Sequence, residues 1–71
     1  MKSPENIAFG SNVAHIRNNM GITQEELAFR CGFDRSYIGA IERGEKSVTL
    51  RTLAKLSKGF NIKIKDLFDY E

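Results

Sequence analysis

Within the run DRSYIGAIERGE, residues 34–45, five residues have types and spacing suited to meeting another molecule. At about 100° per residue on a helical wheel, Arg35, Ser36, Gly39, Ala40 and Arg43 fall on one side, and Tyr37, Ile38 and Ile41 on the other. The second group is expected to pack and the first to be free. The chemistry of the first group suits a DNA major groove, which admits a helix only where side chains do not hold the backbone away from the bases. Gly39, Ala40 and Ser36 permit that approach. Arg35, in the first turn, can donate a bidentate pair to guanine O6 and N7, and Ser36 can donate or accept at a base edge. The Ala40 methyl can touch a thymine methyl, and Arg43 can reach a phosphate. Gly39 needs a reason, since glycine in an exposed helix interior costs about 1 kcal/mol relative to alanine. Either a partner or another part of the chain comes close there.

No other residues assemble into a chemical site. His15 and Cys31 are single, with no third member for nucleophilic catalysis and no metal-ligand spacing. They are read as a surface residue and a small buried one, so neither enzyme activity nor a metal or cofactor is expected. The chain has 71 residues, enough for one thin core, and is expected to form a single domain over 1–71 with no room for a small-molecule-binding module. One cysteine makes no internal disulfide, which fits a reducing compartment. No apolar run approaches membrane-spanning length and the N-terminus lacks a signal-peptide core, so a cytoplasmic protein is expected. The formal charge is +2. Asp66, Asp69 and Glu71 gather three acids at the end, so the remainder carries +5, a basic body with an acidic tail.

The elements that must position these residues all read as helices. Ser3-Pro4 is an N-cap followed by proline at the first helical position. Phe9, Val13, Ile16 and Met20 form one helical stripe, which Gly21 closes. TQEE, residues 23–26, is a capping box in which hydroxyl and carboxylate satisfy backbone N–H groups reciprocally. Leu27, Ala28 and Cys31 make a short apolar face before Gly32. Asp34 caps the third helix, with Phe33 and Ile38 spaced as a hydrophobic staple, and Gly44 ends it. Thr49 caps a fourth helix with Leu50, Leu53, Ala54 and Ser57 on one side, ending at Phe60 and Asn61. Ile64, Leu67 and Phe68 are spaced for a short fifth helix, expected to be the loosest because Lys63 is a poor cap. Chains of this kind bury their stripes helix against helix. The second and third helices with the turn at Gly32 match a helix-turn-helix, and the second helix N-terminus beside Gln24 suits a phosphate.

The run GITQEELAFRCGFDRSYIGAIERGEKSVTLRTLAKL resembles the XRE-type helix-turn-helix family of phage repressors and Cro. The likeness extends upstream through FGSNVAHIR and downstream through NIKIKDLF. DRSYIGAIERG followed by SVTL looks most like the small controller proteins of restriction–modification systems. The resemblance implies an all-α, compact five-helix, lambda-repressor-like fold. It also implies sequence-specific binding of double-stranded DNA as a homodimer on a near-palindromic operator. By position, Arg35, Ser36 and Ala40 fall where family members read bases. Gln24, Tyr37, Arg43, Lys46 and Ser47 fall where they touch backbone, and Arg17 and Glu42 where they form an ion pair joining the first and third helices. The chain departs from the family near Val48, where the family often has a proline, and at Gly39 and Ala40, where many relatives carry serine and a long polar residue. Any readout at Ala40 is therefore apolar, and more specificity falls on Arg35, Ser36 and DNA shape. The dimer contact is assigned to the last helix and tail, Ile64, Leu67, Phe68 and Tyr70, with completion of the monomer core as the competing role for Ile64 and Leu67. The alternative function is an antitoxin or protein-interaction module on the same fold.

Overall fold

The computed structural model describes residues 2–70, and among them are four α-helices, one 3-10 helix and no strand. The α-helices are α1 (Pro4–Asn19), α2 (Gln24–Cys31), α3 (Arg35–Glu42) and α4 (Leu50–Phe60). The fifth helix expected from the sequence is not an α-helix: Ile64–Phe68 is a 3-10 turn. Five residues give too few hydrogen bonds to repay α-helix nucleation. No hydroxyl or carboxylate precedes them either. Instead the Asp66 carboxylate reaches back to accept from the Lys63 N–H at 3.1 Å. Of the acidic tail, Glu71 lies outside the described residues.

Each α-helix begins at a side-chain cap. Ser3 Oγ accepts from the Asn6 N–H (3.1 Å), Thr23 Oγ1 from Glu26 (3.0 Å), Asp34 Oδ1 from Ser36 (3.2 Å) and Thr49 Oγ1 from Thr52 (3.2 Å). Each cap stabilises its helix by about 1 kcal/mol. The expected capping box at Thr23 is half formed. Its hydroxyl half is present, but the Glu26 carboxylate turns away to accept from Arg30 Nε at 3.1 Å, four residues on. At the other ends, Asn61 takes the left-handed conformation (φ 61°) after α4. Gly44 follows α3 at φ 79°, and the backbone of Ile7 passes so close that a methyl there would lie 2.8 Å from the Ile7 Cα. Both its conformation and its surroundings demand glycine.

The core draws one or more side chains from every helix: Val13, Leu27, Ile38, Ile41, Leu56 and Leu67 are fully buried. Burial stabilises by about 1.5–3 kcal/mol for each large side chain. Three expectations are corrected here. Met20, placed on the packing stripe of α1, is exposed. On α4 the buried residues are Thr52, Leu53, Leu56, Gly59 and Phe60, while Leu50 and Ala54 face solvent. The contact line follows Gly59, where an added methyl would collide with Cys31 Sγ, so α4 meets α2 along that edge. Leu67, assigned to a dimer face, completes the core instead. Its carbonyl accepts from the buried Asn12 Nδ2 at 2.7 Å, which pins the 3-10 turn to α1. Phe68 stacks against Phe9 with ring centroids 5.2 Å apart.

Gly10 sets the approach of α1 to α3. A methyl there would run into the Ile41 carbonyl oxygen and come within 3.0 Å of the Glu42 carbonyl oxygen. Two helical turns further along the same face of α1 stands Arg17. The close crossing at Gly10 therefore brings Arg17 within reach of Glu42 at the end of α3.

Candidate nucleic-acid interface

Helices α2 and α3, eight residues each, are joined by the turn 32–34, with the Phe33 N–H donating to the Ala28 carbonyl at 2.8 Å. Their relative placement is held by one carboxylate. Glu42 accepts from Arg17 Nε (2.7 Å), Arg17 Nη2 (3.1 Å) and Gln24 Nε2 (2.9 Å). Arg17 Nη1 also donates to the Ile22 carbonyl at 2.9 Å. Side chains from α1, α2 and α3 thus meet at one point, with Arg17 14% and Glu42 7% exposed. Hydrogen bonding to Glu42 holds the Arg17 guanidinium further above its ordinary range, against the opposing effect of burial.

Arg35 and Ser36 are exposed in the first turn of α3. Arg35 borders a hollow at the N-terminal ends of α2 and α3, shared with Arg17, Thr23, Gln24 and Glu25. Gly39 and Ala40 are not on an open face, contrary to the helical wheel: both are buried, Ala40 at 7% exposure. Helix α3 packs against α1 and α2 together, so its covered arc is wider than one apolar stripe. Gly39 is further covered by the ends of two long side chains. A methyl there would lie 3.1 Å from Arg43 Nη1 and 3.7 Å from Gln24 Oε1.

The residues expected at the DNA backbone divide. Lys46 is exposed in the loop after α3. Ser47 is exposed too, but its Oγ accepts from Asn6 Nδ2 at 3.0 Å and so ties the loop to the start of α1. Gln24 already gives one amide hydrogen to Glu42. Tyr37 stands on the packing side, half-buried, its hydroxyl 3.2 Å from Thr52 Oγ1 and its ring edge-on to Phe33 at 4.9 Å. Arg43 is exposed and makes two hydrogen bonds to Glu45, Nε to Oε2 (3.0 Å) and Nη2 to Oε1 (3.1 Å). The Arg43 hydrogen bond, with positive charge from Arg43, Lys2 and Lys46, holds the Glu45 carboxyl below its usual range.

Sequence reading missed Glu45 and Thr52 altogether. Glu45 is two residues from Arg43, a spacing that matches no helical pairing rule. Thr52 carries no local signal beyond its place in the first turn after the Thr49 cap. Away from this face, Ile64, Phe68 and Tyr70 are partly exposed on the 3-10 turn and tail. Among the described residues, no three histidine, cysteine or acidic side chains gather to hold a metal ion, and no helix is long and apolar enough to cross a membrane. Burial pushes the Cys31 thiol up to about 11, far from the range of a reactive thiolate.

Comparison with known proteins agrees with this geometry. A family profile described as helix-turn-helix matches residues 13–67. The control protein C.BamHI of Bacillus amyloliquefaciens is 42% identical over 65 residues, covering 90% of this chain and 80% of that protein. The control protein C.SmaI of Serratia marcescens is 45% identical over 56 residues, covering 79% of this chain and 67% of that one. The crystal structure of the restriction–modification controller protein C.AhdI from Aeromonas hydrophila superimposes with a TM-score of 0.90 at 38% identity, covering 93% of this chain and all of that one. With its capped α2 and α3 joined by the Gly32 turn and a family match over most of its length, the chain belongs to the XRE-type helix-turn-helix family.

Proposed function

We propose that this protein is a sequence-specific DNA-binding transcriptional regulator of the restriction–modification controller type. It acts in the cytoplasm without enzymatic activity, as a homodimer on a near-palindromic operator that includes its own promoter. The observation that carries the reading is the pair Arg35 and Ser36, exposed at the N-terminal turn of α3, with the rest of α3 held rigidly by α1 and α2. Arg35 reads guanine by a bidentate pair and Ser36 reads an adjacent base edge. Lys46 and Arg43 engage phosphates, which fixes register without reading sequence. Gly39 contributes by leaving room beneath the ends of Arg43 and Gln24 rather than by touching a base, and Ala40, buried, has no part in readout.

The size of the domain supports the dimer reading. The domain measures 26 × 24 × 22 Å, whereas successive major grooves on one side of DNA lie about 34 Å apart. One copy therefore reads one half-site. Ile64, Phe68 and Tyr70 form the contact between copies, without Leu67.

The test is fluorescence-anisotropy binding to the duplex immediately upstream of the protein's own reading frame, against a scrambled duplex, at two salt concentrations. Tight binding to the first alone supports the regulator and its autoregulation. Equal binding to both moves the operator elsewhere and calls for selection from a random pool. Binding to neither at low salt overturns the proposal in favour of an antitoxin or protein-interaction role. Sedimentation showing only monomer at high concentration would remove the dimer.

A further inference from the structure

Arg43 and Glu45 sit at the end of α3, on the face assigned to DNA, yet one of them is an acid. A carboxylate there repels phosphate, so its presence needs a reason. The geometry supplies one. Glu45 takes two donors from one edge of the Arg43 guanidinium, Nε at 3.0 Å and Nη2 at 3.1 Å. Such paired bonds fix the plane of the group as well as its place. The opposite corner, Nη1, lies back over Gly39, 3.1 Å from where a methyl would stand, and Gln24 Oε1 lies 3.7 Å from the same position. Gln24 is itself tied to Glu42 and through it to Arg17. The guanidinium of an exposed arginine is thereby placed between Glu45 and the surface of α3.

We infer that Glu45 is a positioning residue for DNA recognition: it holds Arg43 folded over Gly39, with the remaining Nη donors presented to a DNA phosphate in one geometry. This rests on the DNA-binding reading above. A free arginine would meet phosphates of any duplex in many arrangements. A clamped one meets them only in the register that also seats Arg35 and Ser36 on the bases. Glu45 therefore lowers binding to arbitrary DNA and preserves binding to the operator, and Gly39 leaves the room this requires.

The experiment compares wild type, Glu45→Gln, Arg43→Ala and the double variant. The probes are a duplex enriched by the wild-type protein from a random pool and a scrambled duplex of the same composition. Glu45→Gln is expected to bind the scrambled duplex more tightly. Its salt slope there should steepen by about one, the signature of one more cation available to phosphate. It should bind the enriched duplex no more tightly than wild type, so that the ratio of the two affinities falls several-fold. In the Arg43→Ala background, Glu45→Gln should leave that ratio unchanged, because there is no guanidinium to position. An unchanged ratio in the single variant overturns the inference. So does an equal fall with and without Arg43, which would make Glu45 a repelling charge and nothing more. If the wild-type protein enriches no duplex from the pool, the DNA-binding reading itself has failed, separately from the role of Glu45.

Discussion

Replacing Gly10 by alanine sets two physical effects of opposite sign against each other. Helix propensity alone favours the substitution by about 1 kcal/mol, since glycine in a helix interior pays extra backbone entropy. Packing opposes it. The new methyl would collide with the Ile41 carbonyl oxygen and press on that of Glu42. Both are backbone atoms of a neighbouring helix, so no side chain can rotate away, and α1 and α3 must separate. Inserting a methyl into a packed interior costs about 1–3 kcal/mol, and a rigid neighbour puts this case at the upper end. Separation also lengthens the Arg17–Glu42 contacts two turns along α1. The net expectation is a loss of about 2 kcal/mol, from a cost of about 3 less a gain of about 1. For a domain of this size each kcal/mol moves Tm by roughly 4–8 °C, so Tm should fall by about 8–16 °C. Circular dichroism melts and urea titrations measure this directly. The control is Gly39→Ala, also within a helix, where the methyl meets only the ends of Arg43 and Gln24. Those ends can move, so that variant should gain up to about 1 kcal/mol. A Gly10→Ala protein as stable as wild type, or more so, would show that α1 does not cross α3 as closely as described.

Further outcomes follow from the site and the core. Glu42→Gln and Arg17→Met each strand one partner of a largely buried pair and should cost about 3–5 kcal/mol in urea unfolding, with a smaller combined effect in the double variant. Arg35→Ala should cost roughly 1–3 kcal/mol on the operator and relax base preference at one position, read by binding to a panel of single-base variants. Lys46→Ala should weaken all duplexes alike and lower the magnitude of the salt slope by about one. The Cys31 thiol titrates near 11 when folded, above its ordinary 9.0, because burial disfavours the thiolate. Its protonated form thus contributes stability that is complete below pH 9.0 and is lost as pH rises towards about 11. Cys31→Ala should flatten that part of the stability profile, and an unchanged alkaline slope would show that Cys31 is not its source.

The caps, the helix ends and the turn were legible in the sequence because each depends on neighbours within a few residues. Ser3, Thr23, Asp34 and Thr49 each satisfy a backbone donor two or three positions away, and an observer needs no tertiary fold to see it. Arg35 and Ser36, at the start of a capped helix, stood out for the same reason. What a helical wheel cannot supply is how many neighbours a helix will have. The sequence shows one apolar stripe on α3, but α1 and α2 both close on it, so Gly39 and Ala40 are covered. The same blindness misplaced Leu50 and Ala54 on α4, whose true contact line follows Gly59 against Cys31. Leu67 could serve a dimer or the core on spacing alone, and only the position of Asn12, 55 residues earlier, settles it for the core. Glu42 as the meeting point of Arg17 and Gln24 is likewise a product of tertiary structure, 25 and 18 residues apart in the chain, whereas the Arg43–Glu45 pair is local and was missed because its spacing of two fits no helical pairing rule. Local hydrogen bonds are encoded by adjacency, whereas burial and long-range pairing depend on which backbone passes nearby, and here three glycines, Gly10, Gly44 and Gly59, let other helices approach because they lack side chains.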